Sequence, residues 1–312
     1  LRQPDPFSDL DAGIPPEAAS RRLTMSDGAR LHVSDAGAGH PVVLLHGITL
    51  SSGVWHLLFR SLLAAGLRVV AVDLRGHGRS DAANLTLERL AADLVEVLEQ
   101  LDLRHVVLAG HSMGGMVAIR MLAADPVTAT GGGRVGALAL ISPSANPRAG
   151  SGIPGGRLLG PGLEPVLRRG SGLAGRLPGP TLPSGNAAYL LARLNFGQDP
   201  SPSQVALTRD LVNATRVRVS AELILQILGF DDVASLEAID LPATIVVGTR
   251  DLVTPVRHGR VLAAAVGGAE LIVLDGCGHM VMLERPAELQ AAIVALAERS
   301  GPGRVLPRAP VA

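Results

Sequence analysis

The run Val106-Val107-Leu108-Ala109 passes directly into Gly110-His111-Ser112-Met113-Gly114, and helical spacing begins at once over residues 113–124. Four apolar residues suit a buried strand, and a 3.6-residue period suits a helix. The chain therefore reverses from strand to helix within one or two residues, with no loop to absorb the turn. Glycine two positions before and two after Ser112 removes side chains that would strike neighbouring backbone in so tight a turn. Strand, sharp turn and helix make half of a βαβ unit, and such units build parallel sheets covered on both faces.

The alternation extends in both directions. Residues 22–25 and 31–35 read as a hairpin pair, with Ser26-Asp27-Gly28 as its turn. Strands follow at 42–45, 69–72, 106–109 and 137–141, with helices at 54–65, 86–101 and 113–124. The pattern resumes as strand 244–247, helix 256–265, strand 271–274 and helix 286–298. This predicts an α/β fold with a mostly parallel central sheet flanked by helices.

Over residues 143–240 the alternation stops. Residues 146–186 are rich in Gly, Pro and Arg, while 187–194, 203–214 and 220–228 have helical periodicity. Leu190, Leu191, Leu194, Leu207, Leu211, Leu223, Ile224, Ile227 and Leu228 need burial, which a linker would not provide. The segment is read as a mainly helical insertion over the sheet, after the sixth strand. The domain reading is an N-terminal arm at 1–20, a core of 21–142 with 241–300, an insertion at 143–240 and a flexible tail at 301–312.

Charge excludes several function classes. The 28 basic residues, all arginine, balance 28 acidic ones, and no basic stripe with interleaved aromatics suggests nucleic acid. No apolar run reaches the roughly 18–20 residues of a membrane-spanning helix. One cysteine, Cys277, rules out an intrachain disulfide. Residues 1–20 are polar, acidic and proline-containing, unlike a secretory signal, so the chain reads as cytoplasmic; it begins at Leu1, which leaves room for a processed N-terminus. No metal or cofactor is expected: ligand types do not cluster, and Gly131-Gly132-Gly133 does not open a helix as a phosphate cradle would. The expected partner is a small molecule, with monomer and homodimer both compatible.

Serine alone is a weak nucleophile and needs a base. His279 lies in Gly276-Cys277-Gly278-His279, just past the strand at 271–274. Loops at the C-terminal ends of parallel strands converge on one rim, which places His279 on the rim that carries Ser112. His46 and His77 share that rim but sit in glycine loops, where holding backbone is the simpler role. His111 neighbours Ser112 and points away from it around the turn; His32, His40, His56, His105 and His258 read as surface or packing residues. The base needs an orienting carboxylate. Asp251, in Gly248-Thr249-Arg250-Asp251 after the strand at 244–247, is on the correct rim. Asp275 and Asp73 are rivals, although Asp275 is too close in sequence to His279 to reach its far ring nitrogen easily. Two oxyanion donors are expected: Met113 N–H at the helix start and Ile48 N–H after His46-Gly47.

These residues, with Asp73-Leu74-Arg75-Gly76-His77-Gly78-Arg79-Ser80, resemble the α/β-hydrolase superfamily in its cap-bearing esterase/lipase-like branch, over residues 30–142 and 241–299. The order Ser112, Asp251, His279 is the one expected for that fold. The resemblance implies a Ser112–His279–Asp251 triad, an oxyanion hole from Ile48 and Met113, and a supporting loop of His46, Gly47, Gly110 and Gly114. It implies that the insertion is a cap shaping the substrate pocket, and that Arg75, Glu284 and Arg285 occupy structural ion-pair positions. The expected reaction is hydrolysis of a carboxylic ester through an acyl-serine. The same triad serves thioesterases, lactonases, C–C bond hydrolases and acyl-transfer or cyclisation enzymes, and a binding protein without turnover is the non-enzyme alternative. With only six aromatic side chains, a pocket of Leu, Val, Ile and Met would suit an apolar acyl chain. Cys277 lies near the base but lacks the elbow turn, and reads as filler.

Overall fold

Eight strands share one sheet in a computed structural model that describes residues 18–124, 133–144, 146 and 186–300, with only the backbone of 186–188. Strand β1 (Ala19–Thr24) pairs antiparallel with β2 (Arg30–Ala36), placing Leu23 opposite Leu31. The turn between them closes where Gly28 N donates to Met25 O at 2.8 Å. β1 starts inside the segment read as an arm; residues 1–17 and the tail at 301–312 lie outside the described residues.

The other strands are β3 (Pro41–Leu45), β4 (Arg68–Val72), β5 (Val106–His111), β6 (Val135–Ile141), β7 (Ala243–Gly248) and β8 (Glu270–Leu274). Their order is β1-β2-β4-β3-β5-β6-β7-β8. β2 meets β4 antiparallel, and every later pairing is parallel. The helices in chain order are α1 (His56–Ala64), α2 (Leu87–Gln100), α3 (Met113–Ala124), α4 (Asn186–Arg193), α5 (Pro202–Ala214), α6 (Val217–Gly229), α7 (Val233–Leu236), α8 (Val256–Ala265), α9 (Val281–Glu284) and α10 (Pro286–Arg299). None of the described helices is long and apolar enough to cross a membrane.

Period-two geometry explains the unbroken apolar strands. Val106 and Leu108 of β5 face one core with α2, α3 and α8; Val107 and Ala109 face another with α1 and α10. Helix starts follow local chemistry. Thr86 Oγ1 accepts from Arg89 N at 3.1 Å and begins α2. Ser201 and Gln204 form a reciprocal capping box, with Pro202 in the first turn of α5. α7 and α9 have four residues each, too few for periodicity to show in sequence.

The helices between β6 and β7 straddle the rim of the sheet. Val219, Leu223, Phe230 and Leu236 join the core under α2 and α3, whereas Ala192, Phe196, Val205 and Leu207 join Trp55, Met280 and Val281 on the opposite side. The expected burial of α4 is corrected in detail. Leu190, Leu191 and Leu194 are 62%, 48% and 57% exposed, because Ala192 and Phe196 carry the face that packs. Leu207 and Leu223 are buried, and Leu211, Ile224, Ile227 and Leu228 half-buried. The first part of the expected cap, residues 147–185, lies outside the described residues.

Candidate active site

Strand order makes the site. β4 lies on one side of β3 and β5 on the other, so the connections leaving β3 and β5 diverge and open a crevice at their C-terminal ends. Leu45 pairs with Gly110, which sets His46 and Gly47 beside the turn that carries Ser112. Ser112 adopts φ +52°, a left-handed conformation that costs a non-glycine residue of order 1–3 kcal/mol. Its N–H donates to Ile141 O at 2.9 Å, pinning the turn to β6. A Cβ at Gly110 would sit 2.6 Å from the Gly114 carbonyl, and one at Gly114 would sit 2.3 Å from Leu45 O. The glycine spacing thus reflects direct backbone contact.

Ser112 is buried and opens α3, whose free N–H groups and dipole favour negative charge at this end. Ser112 O accepts from Gly115 N and Met116 N. The N–H groups of Met113 and Ile48 have no partner among the described residues. Two histidines hold the loop after β3. His46 Nε2 accepts from Leu74 N at 3.0 Å, so its Nδ1–H donates to Gly47 O at 2.8 Å. His77 Nε2 accepts from Thr49 N at 3.1 Å, and its Nδ1–H donates to Arg75 O at 3.1 Å.

Asp251 follows β7 and is 3% exposed. Its Oδ1 accepts from the N–H groups of Val253 and Thr254, both at 2.8 Å. Its Oδ2 lies 2.8 Å from His279 Nδ1 and 2.9 Å from Thr254 Oγ1. Burial pushes the Asp251 carboxyl up, but the charge and hydrogen bond of His279 and the bonds from Thr254 outweigh it and hold it below its usual value. An ionised acid at this distance can hold the proton on Nδ1, an arrangement that would leave Nε2 free to accept one. Both rivals are engaged elsewhere. Asp275 Oδ1 accepts from Thr249 Oγ1 at 3.0 Å in an exposed position. Asp73 accepts from Ser52 N and Arg79 N and lies 3.2 Å from His32 Nδ1.

His279 comes from β8, three strands from β5, a lateral distance of roughly 14 Å. The intervening loop crosses back toward the elbow and is latched there. His111 Nε2 donates to His279 O at 3.0 Å, and the two rings lie 4.7 Å apart. His111 thus holds the backbone of His279, a role that the sequence did not suggest. Among the described residues no hydrogen bond joins Ser112 Oγ to His279. Such bonds are often long without substrate and tighten when it binds.

Sequence reasoning missed Thr254, although Asp251-x-x-Thr254 carries a readable signal: an aspartate bonding backbone two and three residues on. The ion-pair reading holds for Arg75, which is buried and bonded to Asp93 through two 2.7 Å contacts. It holds also for Arg285, which pairs with Glu288 at 3.6 Å and donates to Asp275 O, and is corrected for Glu284, which accepts from the N–H groups of Gly197 and Gly278. His32 and His258 are buried with polar partners, Ser20 and Ser144. Burial, then the charge of Glu284, push the Cys277 thiol up, which keeps it protonated and inert.

Burial lowers the pKa of His46 and His111 and takes His77 down to about 3. Each is neutral when folded and binds a proton below about 6.5 when unfolded. The unfolded state therefore takes up more protons across this window, and stability falls as pH drops from about 6.5 toward the folded values. For His77 the loss between pH 7 and pH 5 is up to about 2 kcal/mol. Urea midpoints at the two pH values measure it; equal midpoints would contradict the neutral buried imidazoles.

A family model described as the alpha/beta hydrolase family matches residues 42–292. A non-heme chloroperoxidase of Kitasatospora aureofaciens is 26% identical over 277 residues, covering 83% of this chain and 92% of that protein. An esterase from Exiguobacterium antarcticum superposes with a TM-score of 0.75 at 23% identity, over 90% of this chain and 100% of that one. A thermophilic esterase from Thermogutta terrifontis, with malate bound, gives 0.74 at 24%, over 91% and 99%. At these identities the two solved structures speak to the fold. The family match, spanning most of the core and its inserted helices, is decisive: the chain belongs to the alpha/beta hydrolase family and is a hydrolase.

Proposed function

We propose that the protein hydrolyses carboxylic esters of apolar acyl groups through an acyl-Ser112 intermediate. Ser112 Oγ attacks the ester carbonyl carbon while His279 Nε2 accepts its proton. The resulting oxyanion takes hydrogen bonds from the N–H groups of Ile48 and Met113, which have no other partner among the described residues. Donors of this kind are worth about 2.7–4 kcal/mol each in acyl transfer. The intermediate collapses, and the departing alcohol leaves with the proton from His279. Water then attacks the acyl-enzyme, giving its proton to His279, and Ser112 is regenerated as the acid leaves.

One observation carries this reading. A buried carboxylate holds His279 Nδ1 at 2.8 Å, and the same histidine is latched through His111 to the turn that exposes Ser112. The esterases that share the fold agree with it. The test is a panel of p-nitrophenyl esters of graded acyl length, run beside thioesters and lactones, with fluorophosphonate labelling of the enzyme. Turnover of aliphatic esters and a single adduct on Ser112 are expected. A preference for thioesters or lactones would overturn the ester assignment, and an unlabelled Ser112 would overturn the acyl-serine chemistry.

A further inference from the structure

The loop that carries His279 is held from both sides by backbone. On one side Arg250 N, in the Asp251 loop, donates to Cys277 O at 2.8 Å. On the other side lies the chain just after α4. His279 N donates to Asn195 O at 2.7 Å, and Gln198 N donates to Gly276 O at 2.9 Å. The two backbones touch between these bonds. A Cβ at Gly197 would sit 1.9 Å from Gly276 O, and one at Gly278 would sit 2.4 Å from Gly197 N.

Glu284 closes this contact from beneath. Its Oε2 accepts from Gly197 N at 2.8 Å and from Gly278 N at 3.1 Å, and its Oε1 accepts from Gly278 N at 3.0 Å. Among the described residues the carboxylate has no ion-pair partner. Burial pushes its carboxyl above the usual range, against the pull of the Gly197 and Gly278 N–H groups. Both of its oxygens are thus engaged by backbone amides of the two segments that it joins.

We propose that Glu284 is a positioning residue for the general base, clamping the His279 loop to the inserted segment at Asn195–Gln198. The clamp rests on the acyl-serine reading above. It makes residues 195–198 a fixed wall of the site, built from backbone, and not part of a swinging lid. Glu284 touches no reacting atom; it acts by setting where the imidazole stands. Misplacement of a reacting group by about 1 Å can cost 10²-fold in rate.

The test perturbs the clamp from both ends in the full chain. Glu284→Ala removes the acceptor, and Gly197→Ala forces the segment off Gly276 O. Each variant is expected to lower kcat for a short p-nitrophenyl ester by about 10- to 100-fold, with KM changed less than about threefold. The double variant is expected to be no slower than the slower single one, because both break one contact. Glu284→Gln, which keeps an oxygen for Gly197 N, is expected to recover part of the rate. Melting temperatures confirm folding; if Glu284→Ala does not fold, Gly197→Ala and Glu284→Gln carry the test. The downfield NMR signal of the His279 Nδ1 proton reads the same seat without turnover, and is expected to shift or broaden in each variant. Unchanged kcat and an unchanged Nδ1 signal in folded variants, or strictly additive losses, would overturn the clamp. Failure of the acyl-serine reading looks different: no fluorophosphonate adduct on wild type, whatever the behaviour of the Nδ1 signal.

Discussion

Replacing Ser112 by Ala is expected to lower kcat for a short p-nitrophenyl ester by about 10⁴- to 10⁶-fold. The size follows from the proposed mechanism: without Oγ there would be no acyl-enzyme, and only the proposed oxyanion donors and the binding surface would remain to act on water. Those elements are backbone N–H groups on α3 and on the loop after β3, and Ala leaves both in place. The left-handed turn at residue 112 is as accessible to Ala as to Ser, so the melting temperature is expected to stay close to wild type. The fluorophosphonate adduct is expected to vanish with the activity. Residual turnover within about 100-fold of wild type would mean that another group is the nucleophile.

Asp251→Asn is expected to cost about 10⁴-fold in kcat with little change in KM. The reason lies in the two ends of the carboxylate. Oδ1 accepts from the N–H groups of Val253 and Thr254, so an oxygen must stay at that position. The amide NH₂ of Asn is then forced toward His279 Nδ1, where Oδ2 now sits at 2.8 Å. Two donors cannot face each other, so the imidazole moves its proton to Nε2 and loses its basic nitrogen. The folded pKa of Asp251 is lowered, so the ionised acid contributes stability above the unfolded value of about 3.9, and that contribution fades as pH falls through the folded one. The variant is therefore expected to be less stable than wild type at neutral pH and to converge with it in acid. Asp275→Asn, whose acid bonds Thr249 on the surface, is the comparison. If it proved the more damaging of the two, the orienting role would belong to Asp275.

Legibility of the site tracked how local each interaction is. Gly110 and Gly114 were readable because a strand and a helix separated by Ser112 alone leave no room for side chains. Asp251 and His279 were readable as loop residues just beyond apolar strands. Glu284 was misread because its partners, Gly197 and Gly278, lie 87 and 6 residues away, and neither marks itself in sequence as a donor. The exposed Leu190, Leu191 and Leu194 were misread because periodicity reports that a helix has an apolar face, but not which residues a neighbour covers.

From sequence alone came the strands, the longer helices, the elbow and the order of three chemical groups along the chain. Each depends on residues within a few positions of one another, where sterics and hydrogen bonding leave few choices. Tertiary structure decided that β4, β3 and β5 lie in that order, so that the loop after β3 stands beside Ser112. It also decided that the loop after β8, with β7 and β6 between it and β5, is held by His111, 168 residues away, and by Asn195. Those choices rest on strand pairing and backbone-to-backbone packing over long separations, where almost any apolar or small residue would serve and the sequence therefore carries little mark of them.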